Sequence, residues 1–364
     1  MRIIILNLCA LLFSVSSLAQ DQFFVHDATA ATISADASFI DHPDLNGNPG
    51  AQIVVSHNWN PSGATGVYND KNTGVFYSVG QAMWSVYNED ASAMIEDSSY
   101  NVYIGDGSDV FLHIADAGAV GSLASYSVLD HPDINGNPNA IIILTTYYNP
   151  NSVRNNETYG LWYDDVAGRW NIYSESLNDI PLDSAFFVGI QGTSVASAIH
   201  VANAGNISGN WTSITHPLLD GDPDARFVMT HNWGTSGSAS NVILDQIIGA
   251  WYTGTNWAIY NEDLAAMPED VEFNLMIYDA ALSTPDEFVA GLSYYPNPTN
   301  GIVTISSDSK INQVTVTNIL GQQVLTAKGL SNSLDLDLSN QQSGIYFAQV
   351  DADTGSQTIK LIRK

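Results

Sequence analysis

The sequence predicts an all-β fold of three tandem antiparallel β-sandwich or barrel repeats of about 87 residues, followed by a C-terminal Ig-like β-sandwich. Three observations predict this fold. A set of phrases recurs three times within residues 22–280. Short runs rich in β-branched and aromatic residues alternate with Gly, Pro, Asn and Asp. No long stretch keeps the apolar period of a helix, so helix is expected to be scarce.

The repeats are defined by phrases that recur at nearly constant spacing. A His-Pro phrase fills residues 41–49 and returns at residues 130–138 and 215–223. Two further sets of residues recur at a similar spacing. One is His26, His113 and His200, which lie 87 residues apart, and the other is Trp84, Trp170 and Trp257. Each repeat is long enough to bury a core of its own, so we expect three domains rather than one solenoid.

The predicted boundaries follow from these phrases and from a change in composition near residue 285. Residues 21–285 hold 31 acidic and four basic residues, whereas residues 286–364 hold seven and five. We predict a signal peptide at 1–19, repeats at 20–106, 107–193 and 194–282, a linker at 283–293 and a separate domain at 294–364.

Charge and the first residues of the chain restrict the function. A formal net charge of -28 repels phosphate backbones and anionic lipid, which excludes nucleic-acid binding. Arg2, an apolar run and small residues before Gln20 predict a secretory signal peptide that is cleaved after Ala19. Cys9 lies inside that run, so the mature chain is expected to have no disulfide, thiolate nucleophile or thiolate ligand. No later segment is long and apolar enough to predict a membrane span.

The last domain carries several ordered motifs between alternating strands. A Pro-Asn-Pro motif precedes Asn-Gly, a Gly-Ile-Tyr-Phe phrase follows, and residues 360–364 are mostly basic. These motifs resemble the C-terminal sorting domain of the type IX (Por) secretion system. The matching residues are Pro296, Asn297, Pro298, Asn300, Gly301, residues 316–322, Gly344, Tyr346 and Lys360.

The resemblance implies a destination and a set of partners. It implies a Gram-negative bacterium of the Bacteroidota kind, export to the periplasm and then passage across the outer membrane by the type IX machinery. A sorting peptidase would remove the domain, and the cargo would be released or attached to the cell surface. The repeats resemble, more loosely, uncharacterised repeat domains of secreted bacterial proteins, and no activity follows from that.

All eight histidines fall at repeat-equivalent positions. The third set is His57 and His231, with Thr146 replacing histidine in repeat 2. A metal site is one interpretation, because imidazole is a common ligand. We favour the other interpretation, in which the rings form hydrogen bonds inside each repeat.

The His-Pro phrases also place oxygen-bearing side chains at alternate positions, which suits a hard cation such as calcium. The alternative is an Asx-rich turn whose side chains cap the backbone. The candidate ligands are Asp44, Asn46, Asn48, Asp133, Asn135, Asn137, Asp220, Asp222 and Asp224.

Aromatic residues are the third group of candidates. The Trp84 set is expected in the core, because each member precedes an alternating strand. Trp59, Tyr148 and Trp233 lie 17 residues after the His-Pro histidines, beside polar loops, and are expected to be exposed. With His57 and His231 they are the predicted ligand-binding residues.

We therefore predict a secreted or surface-attached, non-enzymatic protein that acts in adhesion or polysaccharide binding. Three tandem copies suit linked weak sites better than one reactive pocket. Adjacent acids such as Glu89 and Asp90 point to opposite faces of a strand and do not pair as acid and base. The alternatives are a secreted hydrolase or metal-dependent enzyme that uses His216, His231 and the loop 220–224, and a structural surface-layer or matrix component.

Overall fold

The computed structural model describes residues 23–279, except 106, 122, 193, 194 and 236–240, and residues 289 and 291–364, except 319–321, 330 and 354. The predicted signal peptide and most of the predicted linker lie outside the described residues. The described chain is all-β, as predicted, and its only helical turn is a 3-10 turn at Pro61–Gly63. Residues 21–283 form one compact unit, and the C-terminal residues from 284 belong to another.

Repeat 1 supplies the first seven strands. They are β1 (Phe23–Asp27), β2 (Ile33–Ser34), β3 (Ala37–Ile40), β4 (Ile53–Asn58), β5 (Thr73–Ser78), β6 (Met83–Asn88) and β7 (Ser99–Ile104). Repeat 2 supplies β8 (Val110–Ala115), β9 (Tyr126–Val128), β10 (Ile142–Tyr147), β11 (Tyr159–Asp164), β12 (Arg169–Ser174) and β13 (Ser184–Ile190). Repeat 3 supplies β14 (Val195–Val201), β15 (Ile207–Ser208), β16 (Trp211–Ser213), β17 (Phe227–Thr235), β18 (Ile248–Tyr252), β19 (Trp257–Asn261) and β20 (Glu272–Tyr278).

Every sheet of the repeat unit takes strands from two repeats. The sheet orders are β1-β7-β4-β18-β19-β16-β15, β2-β3-β6-β5-β10-β13-β8 and β14-β20-β17-β11-β12-β9. Parallel pairs join the repeats within these sheets: β5 with β10, β11 with β17, and β18 with β4. We call these junctions the 1–2, 2–3 and 3–1 seams. The three repeats therefore close into a ring.

Each repeat nevertheless packs a sandwich around apolar residues of its own. Its strands divide between two sheets, and the side chains between them form separate clusters centred on Trp84, Trp170 and Trp257. The cluster of repeat 1 also reaches residues of the other two repeats, including Ile143 and Val228. The sandwich prediction is confirmed. The expectation of three independent domains is corrected, because backbone pairing continues across every seam.

The predicted core tryptophans also explain why two of the sequence phrases recur together. Trp84, Trp170 and Trp257 are buried as predicted. In each repeat the indole N–H donates to the carbonyl that precedes the second proline of the His-Pro phrase. The acceptors are Asn48, Asn137 and Asp222, at 2.8, 2.9 and 2.8 Å. Gly47, Gly136 and Gly221 lie in these turns with positive φ, a conformation that glycine adopts without steric cost.

Hydroxyl side chains tie the repeats together at the centre of the ring. Here the middle strands β4, β10 and β17 contact one another. Val55 N–H donates to Thr145 Oγ1, Leu144 N–H to Thr230 Oγ1 and Met229 N–H to Ser56 Oγ, each at 2.9 Å. The acceptors are repeat-equivalent, so the three bonds form a cycle that passes once through each repeat.

The C-terminal unit is a smaller two-sheet β domain. Its strands are β21 (Ser293–Tyr295), β22 (Ile302–Ser306), β23 (Ile311–Asn318), β24 (Gln323–Lys328), β25 (Ser333–Asp337), β26 (Gly344–Ala352) and β27 (Gly355–Arg363). The sheets are β21-β22-β25 and β24-β23-β26-β27. They enclose a core that includes Val303, Val316 and Tyr346.

Candidate functional site

A buried glutamate lies beneath each seam, two residues after a tyrosine. These glutamates are Glu89, Glu175 and Glu262. Tyr173 donates to Glu175 at 2.8 Å and Tyr260 to Glu262 at 2.6 Å. Burial raises the pKa of both tyrosines, and the neighbouring carboxylate adds to that rise, so the hydroxyls stay protonated and donate.

A glycine on the neighbouring strand makes room for each glutamate. A Cβ on Gly249 would lie 2.5 Å from Glu262 Oε1, and one on Gly160 would lie 2.1 Å from Glu175 Oε1. At the 1–2 seam, a Cβ on Gly74 would lie 2.6 Å from Glu89 Oε1. The seams therefore require glycine at these three positions, because any side chain would collide with the carboxylate.

The predicted ligand-binding histidines cross the seams to reach these carboxylates. His57 Nδ1 of repeat 1 bonds Glu262 of repeat 3, and His231 Nδ1 of repeat 3 bonds Glu175 of repeat 2. The rings are only 5% and 3% exposed. Thr146 occupies the equivalent position at the 1–2 seam, and there burial raises the pKa of Glu89. His57 and His231 are thus buried in the seams, where each bonds a glutamate of another repeat. His57 also supports the surface above the 3–1 seam, because Glu262 holds the hydroxyl of Tyr260.

That surface is a pocket of aromatic side chains of about 160 Å³. Repeat 1 contributes Trp59 and Tyr68, and repeat 3 contributes the other lining residues: Asn210, Trp211, Trp251 and Tyr260. Trp251 meets Trp59 edge-on at 6.2 Å and Trp211 at 5.3 Å, measured between ring centroids. Tyr68 is 47% exposed and packs edge-on against buried Tyr260. Two repeats therefore build one half-open aromatic pocket.

The 2–3 seam carries a matching cluster. Trp162 meets Trp233 at 6.3 Å and Tyr126 at 5.7 Å, again edge-on. All three rings are half-buried. Trp233 takes the place of Trp59, Trp162 that of Trp251 and Tyr126 that of Trp211. The predicted residues Trp59 and Trp233 therefore occupy equivalent places at two different seams.

The 1–2 seam is occupied differently. Tyr148, the third predicted residue, lies 6.3 Å from Phe76 and 6.0 Å from Tyr87. The Arg154 guanidinium lies over the rings of Tyr87 and Tyr148, at 5.1 and 5.9 Å from their centroids. Arg154 also pairs with Asp36. The chain's own cation thus covers the aromatic surface at this seam.

A second cavity, of about 130 Å³, lies at the centre of the ring and is lined by all three repeats. Its wall includes the hydroxyls of Ser56, Thr145 and Thr230. Its ionisable lining residues all have partners. Lys71 pairs with Asp70 at 2.9 Å, Glu157 accepts from Asn178 at 3.1 Å, and His57 and His231 bond Glu262 and Glu175. Both cavities therefore span more than one repeat.

The other six histidines form hydrogen bonds inside their own repeats, so the favoured interpretation describes these two sets but not His57 and His231. His26, His113 and His200 each bond a buried hydroxyl at 2.8 Å. Burial lowers the pKa of each to about 4. In the second set, His42 stacks on Phe24 and His131 on Phe111, and Nδ1 of His42, His131 and His216 accepts from the backbone two residues on.

The calcium candidates lie in turns where several of their oxygens already accept hydrogen bonds. Asp222 Oδ1 accepts from Asp224 N–H at 2.9 Å and Asn137 Oδ1 from Asn139 N–H at 3.1 Å. In the described part of the chain, no group of three or more His, Cys, Asp or Glu is placed to hold a metal ion. His216 accepts a hydrogen bond within its own turn, whereas His231 bonds Glu175 at the 2–3 seam. The histidines of the hydrolase alternative therefore have separate partners in different parts of the fold.

In the C-terminal domain, two hydrogen bonds join the Pro-Asn-Pro motif to the last strand. Asn297 Nδ2 donates to the Lys360 carbonyl and Asn297 Oδ1 accepts from Ile362 N–H, both at 2.8 Å. The Tyr346 hydroxyl donates to the Gln342 carbonyl at 2.7 Å. The Pro-Asn-Pro segment is thereby attached to β27, which carries the basic residues Lys360 and Arg363.

Sequence reasoning missed several residues of the aromatic pocket. Tyr68, Trp211, Trp251 and Tyr260 were not among the predicted ligand-binding residues. Trp251 does belong to a repeat-equivalent aromatic set with Phe76 and Trp162. Trp211 has no aromatic counterpart in repeat 1. Trp211 pairs with Tyr260 in repeat 3, and the residue that pairs with the equivalent Tyr87 in repeat 1 is Ala37.

Two family models match the sequence. One is described as a domain of unknown function, DUF7452, and it matches residues 10–104, 74–167 and 160–277. The chain belongs to this family. The other is the secretion system C-terminal sorting domain, which matches residues 293–364. The sorting-domain resemblance is therefore confirmed, and this DUF7452 protein is exported by the type IX system to the cell surface or the extracellular space.

Comparison with other proteins adds two distant structural similarities. One is to PorZ, an essential bacterial surface component of the type IX secretion system of Porphyromonas gingivalis, at 16% identity and a TM-score of 0.18. That match covers 57% of this chain, which spans only 25% of the PorZ chain. The other is to the BSP domain of a biofilm-associated protein, at 10% identity and a TM-score of 0.18, covering 92% and 82% of the two chains. No curated protein matches.

Within the described residues, no helix has the length and apolar character needed to cross a bilayer.

Proposed function

We propose that this exported protein is a non-enzymatic binding protein for neutral polysaccharide and acts in adhesion. The observation that carries the proposal is the half-open aromatic pocket at the 3–1 seam. Ligand pockets are typically concave and aromatic, with a few polar groups that fix orientation. Here Trp59, Trp211 and Trp251 supply flat apolar faces for the C–H face of a sugar ring, and Asn210 supplies an amide.

The charge of the protein selects the kind of polymer. With a net charge of -28, the surface disfavours acidic polysaccharides at long range. Among the residues that the structure describes, the pocket lining contains no charged side chain. A neutral glycan is therefore not repelled by the acidic surface, and its binding requires no charged side chain of the lining to give up a partner.

The pocket is also held in place before a ligand arrives. Tyr260 forms part of the lining, and its hydroxyl is fixed by Glu262, which is in turn bonded to His57 of the other repeat. Such support reduces the ordering cost of binding. The buried histidine and glutamate are thus positioning residues.

Isothermal titration calorimetry of the full chain with laminarihexaose, cellohexaose and mannohexaose tests the proposal. We expect at least one of these neutral hexasaccharides to bind, and Trp251→Ala to weaken that binding about tenfold or more, as expected for a central aromatic contact. Tyr295→Ala is the matched control, because Tyr295 is 79% exposed on the other unit. Absence of binding to all three sugars, or equal losses in both variants, would overturn the proposal.

A further inference from the structure

We propose that the 2–3 seam holds a second site for the same neutral glycan, so that one chain binds two glycan segments. This inference rests on the proposed function and deepens it. It is supported by two aromatic clusters that are equivalent to each other and lie at different seams of the ring.

The two clusters share their geometry as well as their residue types. At the 3–1 seam, the central Trp251 lies 6.2 and 5.3 Å from its two partners, at interplanar angles of 84° and 89°. At the 2–3 seam, the central Trp162 lies 6.3 and 5.7 Å from its partners, at 89° and 87°. Both central rings are half-buried, and each tryptophan lies two residues after a seam glycine on the same strand, Gly249 on β18 or Gly160 on β11.

The same buried support lies under both clusters. Glu262 accepts from Tyr260 and bonds His57, and Glu175 accepts from Tyr173 and bonds His231. At the 1–2 seam, Thr146 replaces the histidine. The two seams with a histidine are therefore the two seams with paired tryptophans.

The third seam is closed to the same ligand. Arg154 covers Tyr87 and Tyr148 and is held there by Asp36 and by the Asn88 carbonyl at 2.9 Å. Ala37 also occupies the strand position at which Trp211 supplies an aromatic side chain at the 3–1 seam and Tyr126 supplies one at the 2–3 seam. A sugar would have to displace a paired cation to reach the remaining rings.

The two open sites differ in one wall, and this difference predicts unequal affinities. At the 3–1 seam, the exposed Tyr68 ring packs on Tyr260 at 5.7 Å. Among the described residues, no ring packs on Tyr173 in the same way. We therefore expect the 2–3 site to bind the same sugar more weakly than the 3–1 site.

Two sites on one rigid ring would let the protein bridge polymer chains or bind one chain twice. The second contact is then intramolecular, which raises the apparent affinity for a repeating polymer without any new kind of contact. This property suits adhesion more than the capture of a single small sugar.

The test compares matched variants of the full chain by calorimetry with the hexasaccharide that binds the wild type. We expect two sites in the wild type, one in Trp251→Ala and one in Trp162→Ala, and none in the double variant. Tyr148→Ala is the matched control and should keep both sites. Thermal unfolding of each variant, together with Trp233→Ala as a second variant at the 2–3 seam, separates lost binding from lost folding.

The outcomes distinguish the two proposals. A single site that disappears in Trp251→Ala and is unchanged in folded Trp162→Ala and Trp233→Ala would overturn the second site and leave the proposed function standing. Absence of binding in the wild type would overturn both. A third site that is lost in Tyr148→Ala would also contradict the inference, because Arg154 should keep that seam closed.

Discussion

Val55 donates its backbone N–H to Thr145 Oγ1 across 2.9 Å, and the two residues belong to different repeats. Two equivalent bonds complete the cycle at the centre of the ring. Two of the three bonds are buried and the third is partly buried, and each one joins two repeats. The stability of any one repeat therefore depends on its neighbours.

Thr145→Val tests this dependence directly. The substitution keeps the shape of the side chain but leaves the Val55 N–H without its acceptor, which should cost about 1–3 kcal/mol of unfolding free energy. Urea unfolding followed by tryptophan fluorescence measures the loss. Thr215→Val, at an exposed position, is the control and should change stability by less than about 0.5 kcal/mol. Equal effects of the two substitutions would contradict a structural role for the cycle.

The seam glycines give a second test with a closely matched control. Gly249→Ala places a Cβ 2.5 Å from Glu262 Oε1 and 2.6 Å from the Tyr260 ring. Overpacking of this kind costs about 1–3 kcal/mol, and it should also weaken glycan binding because Tyr260 lines the pocket. Gly80→Ala has nothing within 4 Å of the new Cβ and should be nearly neutral. Unfolding and binding measurements that failed to separate these two variants would argue against the seam packing.

The core histidines predict how stability depends on pH. Burial lowers the pKa of His26, His113 and His200 to about 4 from the usual 6.5. Between these values the unfolded chain binds more protons than the folded one, so stability is fully present above about 6.5 and is lost as the pH falls towards 4. His200→Gln should reduce the slope of stability against pH by up to one proton, about 1.4 kcal/mol per pH unit. An unchanged slope in chemical unfolding between pH 6.5 and 4 would refute this.

The connection between Asn297 and β27 predicts a defect in the sorting domain. Asn297→Ala removes two hydrogen bonds to residues of the last strand, at 2.8 Å each, and should destabilise that domain by about 1–3 kcal/mol. We expect less protein to reach the cell surface or medium, as measured by immunoblotting of cell fractions. Asn340→Ala, at an exposed position, should be exported normally. Normal export of the Asn297 variant would show that this connection is dispensable for sorting.

The sequence predicted the parts of this fold that depend on local pattern. Repetition identified the three units, and alternation identified strands and the buried Trp84 set. It did not reveal that β18 pairs with β4, because a period of two shows which face of a strand is buried and not which strand lies beside it. Gly249 and His57 are register partners although they lie 192 positions apart in the sequence (249 − 57).

The candidate site was predicted in part for the same reason. Trp59 and Trp233 were identified from repeat position and their polar surroundings. Their partners Trp251 and Trp162 come from other repeats, and only the closed ring brings them together. Tyr148 satisfied the same sequence rule, but Arg154 covers it, and sequence alone gave no sign of that contact.

A titration of the indole N–H signals tests whether a glycan binds at the 3–1 and 2–3 seams. The protein has eight tryptophans, of which five lie at the two open seams and three lie in the repeat cores. In ¹H–¹⁵N spectra of ¹⁵N-tryptophan-labelled protein, the bound hexasaccharide should shift the signals of Trp59, Trp211, Trp251, Trp162 and Trp233. The signals of Trp84, Trp170 and Trp257 should stay in place. Shifts confined to the core signals, or unchanged seam signals at saturating sugar, would contradict the account.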